Sequence, residues 1–267
     1  MTYQELFKIL LNKQIVLADI KDIFDGSLHV DFNRYEIIKD DDILNADITK
    51  LLDLLDKHYP VPYLIGYTDV LSLHLFLDES TLIPRMETCD FIKSYLKERF
   101  DFNNKTVLDL CTGSGVIALA IKKYFPASKV YASDISLDAL NIAKKNSEYN
   151  FLDVSFIQSD YLKDINLKFD YIISNPPYIE ENSQEVDAPF EPDLALYAGK
   201  DGLDSYRKIL SELDNHLNTN GYAFFEIEST NYQNTLNLFN SMLPKTYQIE
   251  LIKDLYNRER FIKVKKN

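Results

Sequence analysis

The chain has 267 residues, 46% of them hydrophobic and 27% charged, which suits one large soluble domain or a medium domain with a small partner. A net charge of −13 excludes broad electrostatic attraction to nucleic acid, although a local basic groove stays open. Cys89, Cys111 and the scattered His29, His58, His74 and His216 offer neither a disulfide framework nor metal-type spacing, so a reducing compartment and no metal are expected. The opening residues lack a basic stretch followed by an apolar core, and no apolar run approaches membrane-spanning length. The expected location is the cytoplasm.

Residues 1–60 read as short helices, with one apolar stripe at Leu6, Phe7, Ile9 and Leu10 and another at Ile48, Leu51, Leu52, Leu54 and Leu55. Asp25-Gly26 and Asp40-Asp41-Asp42 break them. A piece this small leans on the rest of the chain for its core; its roles are packing or the grasp of a protein substrate. Tyr59-Pro60-Val61-Pro62-Tyr63-Leu64-Ile65-Gly66 is expected to form a stiff connector. Leu71, Leu73, Leu75 and Leu77 then alternate with Ser72, His74, Phe76 and Asp78, which predicts a strand within a hairpin. Leu82-Ile83-Pro84-Arg85-Met86-Glu87-Thr88 leads into a helix carrying Phe91, Ile92, Tyr95 and Leu96 on one side. Glu87 and Thr88 fall in its first turn, where capping and the helix dipole explain them without any function.

From residue 105 the rhythm becomes strand–helix–strand. Strands are predicted over 106–110, 129–133, 154–158, 169–174, 221–227, 247–252 and 260–264, with helices over 116–124, 136–149, 203–217 and 231–242 between several of them. Such alternation predicts a mainly parallel, doubly wound sheet. The expected layout is a helical domain over 1–66, a β-hairpin linker over 67–84 and an α/β domain over 85–267.

Cys111-Thr112-Gly113-Ser114-Gly115 joins the first of these strands to a helix, where glycines let backbone approach a ligand at a helix N-terminus. Asp134 closes the next strand, where a carboxylate takes the hydroxyls of a ribose. Together they point to an adenosine-type cofactor. The incomplete Gly-x-Gly-x-x-Gly pattern disfavours NAD, and the missing Gly-Lys-Ser/Thr disfavours a P-loop nucleotide. Asp160 ends the third strand and can accept from an adenine amino group while Tyr161 lies against the ring; a turn or cap is the plainer role for Asp160.

The fourth strand stops at Asn175-Pro176-Pro177-Tyr178-Ile179. Proline has no N–H for the ladder and pushes the preceding residue towards extended backbone. An amide side chain, a free carbonyl and an aromatic ring are thus presented where open α/β sheets bind ligands. A planar –NH2 group can donate to the Asn175 side-chain oxygen and the Pro176 carbonyl, with Tyr178 over its face. The alternative is a loop punctuated by prolines.

With these residues lined up, residues 59–261 resemble the Rossmann-like, seven-stranded S-adenosylmethionine-dependent methyltransferases, and within them the release-factor glutamine methyltransferases. The blocks that carry the likeness include Pro62-Tyr63-Leu64-Ile65-Gly66, Leu82-Ile83-Pro84-Arg85 with Glu87-Thr88, and Asp109-Leu110-Cys111-Thr112-Gly113-Ser114-Gly115. Asp134-Ile135-Ser136, Asn175-Pro176-Pro177-Tyr178, Phe190-Glu191-Pro192, Asp201-Gly202-Leu203 and Tyr206-Arg207 complete them. Cys111 stands where the general loop has its first glycine, Met86 replaces a proline, and Glu228 replaces the glycine of Glu-Ile-Gly.

The resemblance implies methyl transfer from S-adenosylmethionine to the side-chain nitrogen (N5) of the glutamine in the Gly-Gly-Gln motif of class I peptide-chain release factors. It implies Asn175, Pro176 and Tyr178 as catalytic residues, joined by Pro177 in holding substrate. For the cofactor it implies Arg85, Glu87, Thr88, Cys111, Thr112, Gly113, Ser114, Gly115, Asp134, Asp160, Tyr161 and Asn175. Substrate recognition would fall to the helical domain; a monomer, with no direct nucleic-acid or membrane partner, is expected. The same Asn-Pro-Pro-Tyr also serves enzymes that methylate the amino groups of adenine or cytosine in DNA or RNA. That is the main rival reading, and an inactive cofactor-binding module is another.

Overall fold

A computed structural model describes residues 1–44, 46–181, 183 and 188–267. The chain divides into two compact units, Met1–Thr68 and Asp69–Asn267.

In the first unit, α1 (Tyr3–Asn12), α2 (Leu17–Asp22), α3 (Tyr35–Ile38), α4 (Ile48–Asp56) and α5 (Val61–Ile65) bury Leu6, Leu10, Ile20, Phe24, Leu51 and Leu55 against one another. Thr2 and Glu5 form a reciprocal capping box at the start of α1. The expected connector over 59–66 is instead the turn of helix α5: Pro62 sits in its first turn, where a missing N–H costs nothing, and Gly66 ends it at φ +83°.

A two-stranded hairpin comes next, β1 (Tyr67–Val70) and β2 (Leu73–Phe76). The strand begins later than its alternation suggested, because Leu71 and Ser72 both take positive φ (51° and 58°) and make the turn. The free edge of β2 is closed by side chains of a helix that comes later in the chain. After the hairpin runs one continuous helical stretch: α6 (Met86–Asp90), a π-helical turn (Phe91–Leu96) and α7 (Lys97–Arg99).

The seven-stranded sheet comprises β3 (Thr106–Leu110), β4 (Lys129–Asp134), β5 (Ser155–Gln158), β6 (Phe169–Ser174), β7 (Leu217–Glu226), β8 (Tyr247–Lys253) and β9 (Glu259–Lys266). Its order is β5-β4-β3-β6-β7-β9-β8, parallel from β5 to β7, with β9 antiparallel to both its neighbours. Side chains alternate across it. Val107, Ile173 and Phe224 face a core shared with the 86–99 helix and α8 (Val116–Tyr124). Leu108, Ile172, Phe225 and Ile262 face a second core with α11 (Asp204–His216) and α12 (Tyr232–Met242). α9 (Leu137–Tyr149) links β4 to β5, and α10 (Asp193–Leu196) lies ahead of α11. The chain leaves β3 in one direction and returns as β6 on its other side, so the strand order reverses between them. That switch point opens a crevice at Leu110 and Ser174, whose hydroxyl donates to the Leu110 carbonyl at 2.7 Å.

Candidate functional site

Both site loops begin at that crevice. After β3 the chain turns sharply: Cys111, Gly113 and Gly115 all have positive φ (63°, 51° and 87°). Cys111 therefore carries its Cβ in the left-handed region, at a position better suited to glycine. Two carboxylates hold the turn. Asp109, 1% exposed, accepts from the Thr112 hydroxyl at 2.5 Å and the Ala118 N–H at 3.0 Å. Burial nevertheless pushes it up to about 7. Asp134 accepts from the Gly113 N–H at 2.9 Å and the Ser136 N–H at 3.0 Å, which steers its carboxylate beside the loop; burial raises it against those bonds. Ser136 caps α9 by accepting from the Ala139 N–H at 3.1 Å.

Over this floor lies a cavity of about 300 Å³. Of the residues expected at a cofactor, it brings together Arg85, Thr88, Cys111, Thr112, Gly113, Ser114, Asp134, Asp160, Tyr161 and Asn175. Gly115 and Glu87 do not line it. Gly115 serves packing, since a Cβ there would press on Ala143 at 3.2 Å. The Glu87 carboxylate is taken by Arg258 at 2.9 Å. Tyr161, at φ 53°, donates its hydroxyl to Ser205 at 2.8 Å, and Lys208 stands 3.5 Å from Asp160 at the rim.

Asn175 enters the cavity wall from the other loop. Its Nδ2 donates to the Thr88 hydroxyl oxygen at 3.5 Å, and that hydroxyl donates to Glu226 at 2.6 Å. Among the described residues, no backbone N–H donates to the Asn175 or Pro176 carbonyl. Both prolines are buried; Pro177 lines the cavity, and Pro176 lies between it and Asn175 in the chain. The sequence reading put the Tyr178 ring over a substrate; its hydroxyl instead donates to Glu226 at 3.2 Å, and the side chain packs against the core beneath β6 and β7. Glu226 is 2% exposed and pushed up to about 7 by burial, against the pull of Thr88, Arg260 and Tyr178.

Two further motifs prove to be scaffolding. Glu191 accepts from the Ile83 N–H at 3.1 Å and pairs with the Arg85 guanidinium, tying Ile-Pro-Arg to Phe-Glu-Pro. Tyr206 donates to the Glu226 carbonyl at 2.6 Å, while Arg207 bonds both Asp201 and Asp204. Sequence reasoning gave no role to Asp109, Glu191 or Glu226. Each is an acid set in or beside an apolar segment, and a buried carboxylate demands partners.

The polar groups around the cavity suit the expected cofactor. Acids at the ends of two adjacent strands are acceptors of the kind that a ribose diol and an amino group require. The Ser133 hydroxyl, which lines the cavity and is buried, has no partner among the described residues. Among the described residues there is no cluster that could hold a metal, and no helix long and apolar enough to cross a membrane.

A parallel sheet reversed between β3 and β6, with a glycine turn, a strand-end acid and Asn-Pro-Pro-Tyr at the reversal, defines a Rossmann-like methyltransferase. The family model "Methyltransferase small domain" matches residues 87–190, and a solved methyltransferase from Pyrococcus furiosus shares the fold (TM-score 0.56, 20% identity, covering 73% of this chain and 89% of that one). The release factor glutamine methyltransferase of Streptococcus pneumoniae is 39% identical over 214 residues, 79% of this chain and 76% of its own. That of Lactococcus lactis is 36% identical over 222 residues, 82% of each chain. The chain belongs to the release factor glutamine methyltransferase family.

Proposed function

We propose that the enzyme methylates the side-chain nitrogen (N5) of the glutamine in the Gly-Gly-Gln motif of class I release factors, with S-adenosylmethionine as donor. The observation that carries this reading is the Asn175 amide at the cavity wall, its Nδ2 engaged by Thr88, beside backbone carbonyls that no backbone N–H among the described residues claims. When bound, S-adenosylmethionine supplies a methyl group on a positively charged sulfur, open to in-line displacement. Asp134 and Asp160 would hold its ribose and adenine, and the turn over residues 111–114 would lie along it.

An amide nitrogen is a poor nucleophile because its lone pair is delocalised into the carbonyl. Asn175 Oδ1 and the Pro176 carbonyl would accept its two N–H bonds and aim the lone pair at the methyl group. The same two oxygens stabilise positive charge as it develops on nitrogen, which is oxyanion-hole logic with the sign reversed. Positioning of this kind is worth roughly 7–11 kcal/mol in favourable cases. The N-alkylated amide then loses its proton to water, so no dedicated base is needed. Tyr178 acts from behind, holding Glu226, rather than over the substrate. Methylation of adenine or cytosine is not favoured, because the two bacterial relatives are named for release factors and a net charge of −13 gives no broad attraction to nucleic acid.

The test uses methyl-labelled S-adenosylmethionine with a purified release factor, a copy whose Gly-Gly-Gln glutamine is alanine, and unmethylated DNA. Label is expected on the intact factor alone; label on DNA alone overturns the substrate. Asn175→Ala should abolish turnover while cofactor binding stays measurable, and unchanged turnover would falsify the clamp. Asn175→Asp, which keeps an acceptor but adds a charge, separates hydrogen bonding from electrostatics.

A further inference from the structure

A clamp built from an asparagine has an ambiguity that a backbone carbonyl lacks: its amide can present either oxygen or –NH2. Only the first suits a substrate nitrogen carrying two N–H bonds. Donor and acceptor counting shows what decides it here. The Thr88 hydroxyl has one proton, and Glu226 Oε2 takes it at 2.6 Å in the protein interior. What remains on Thr88 Oγ1 is lone pairs, so the neighbouring Asn175 must turn its –NH2 inwards, as it does at 3.5 Å. Its oxygen is then left for the cavity.

Glu226 is itself held as an acceptor. Its second oxygen receives the Tyr178 hydroxyl at 3.2 Å, and its backbone carbonyl receives the Tyr206 hydroxyl at 2.6 Å. We propose that Thr88 and Glu226 are positioning residues that fix the polarity of the Asn175 amide, and that this polarity makes the site select a side chain bearing –NH2. The proposal rests on the glutamine-methylation reading above.

The relay reverses if Glu226 becomes a donor: Thr88 is then free to point its proton at Asn175, whose amide can turn over. Among the described residues, five titratable or charged groups act on Glu226 or feel its charge. They are Arg260 from β9, Glu87 and Cys89 from α6, Tyr178 from the loop after β6, and Tyr206 from α11. Arg260 favours the carboxylate, Glu87 opposes it, and burial outweighs both. Protonation near pH 7 therefore falls in the range where the enzyme can be assayed.

The experiment compares wild type, Thr88→Val, Thr88→Ser, Glu226→Gln and Asn175→Ala, measuring kcat and KM for release factor, the dissociation constant for S-adenosylmethionine, and kcat against pH. Thr88→Val keeps shape but loses the hydroxyl; its kcat should fall about 100-fold, the scale of a misplaced reacting group, with cofactor affinity changed less than about 3-fold. Thr88→Ser should recover most of the loss. Wild-type kcat should fall as pH drops through about 7, and Glu226→Gln, which has no such proton to gain, should lack that limb.

A Thr88→Val kcat within about 3-fold of wild type overturns the relay, as does an acid limb retained by Glu226→Gln. A hundredfold loss of cofactor affinity in Thr88→Val, with kcat intact, also overturns it and makes Thr88 a cofactor ligand. Asn175→Ala separates the two levels. If it loses turnover while Thr88→Val does not, the relay alone fails; if it keeps turnover, the glutamine clamp fails with it.

Discussion

Gly202, at φ +70°, lies against the Tyr178 carbonyl, and a Cβ there would overlap that oxygen. The backbone after Asn-Pro-Pro-Tyr is pinned nearby: the Ile179 N–H donates to Leu196 at 2.9 Å and the Ala198 N–H donates to Ile179 at 2.8 Å. Gly202→Ala is therefore expected to push the loop carrying Asn175 out of place. Methylation should drop by about 10-fold or more, as small displacements of reacting groups do, while cofactor binding changes little. Initial rates beside a cofactor titration check this, and equal losses in both would point to general unfolding. The Asn-Pro-Pro-Tyr stop was legible because two prolines end a strand by simple sterics. Glu226 was not, since nothing local reveals that an acid at a strand end faces inwards. Its partner Thr88 is 138 residues away.

Among elements, all seven strands of the sheet were read, most to within a residue or two, although β7 begins at Leu217 rather than at 221. Strands such as 106–110 are apolar runs between turn residues, and burial on both faces leaves them no other state. The hairpin was read less well because it depends on partners far along the chain. The free edge of β2 is closed by two asparagines of the α9 region, not by a strand. Asn146 accepts from the Phe76 N–H at 2.7 Å and donates to the Phe76 carbonyl at 3.1 Å. Asn150 does the same for His74, accepting at 3.2 Å and donating at 2.7 Å. Four residues apart, one in the last turn of α9 and the other its C-cap, they mimic a neighbouring strand. Asn146 also donates to the Ser114 carbonyl at 2.9 Å, so it braces the glycine turn. Asn146→Ala leaves those buried groups unpaired and is expected to cost about 2–4 kcal/mol. Urea unfolding should show a lower midpoint at unchanged slope, and an unmoved midpoint would refute the bracing role.

At the scale of the whole molecule, each unit carries its own core. The first closes on Leu6, Leu10, Phe24 and Leu55, and the second on the two faces of the sheet. The sequence suggested that the helical piece would lean on its neighbour, yet its helices bury a common interior. Every residue of the cavity belongs to Asp69–Asn267. We propose that residues 1–66 recognise the release factor and take no part in cofactor binding. A chain lacking them should bind S-adenosylmethionine with unchanged affinity. Its KM for the release factor should rise by about 10-fold or more, the loss of roughly 1.4 kcal/mol of contact. An unchanged KM would remove that role from the helical unit.

The π-helical turn over Phe91–Leu96 has an evolutionary corollary. It holds one more residue than an α-helical turn would, which sets the angular phase between α6 on one side and α7 on the other. Phe91 is fixed by stacking on Phe261 at 3.8 Å between centroids, and Leu96 is fully buried, while Thr88 one turn earlier meets Glu226. Removing a single residue would restore regular winding and swing one end by about 100° relative to the other. Thr88 and Leu96 could then not both keep their places. Substitutions in this turn are filtered by packing at Phe91, Ile92 and Leu96 and little at the exposed Lys93 and Ser94, but insertions and deletions are filtered by phase everywhere, so drift here should preserve length more strictly than identity.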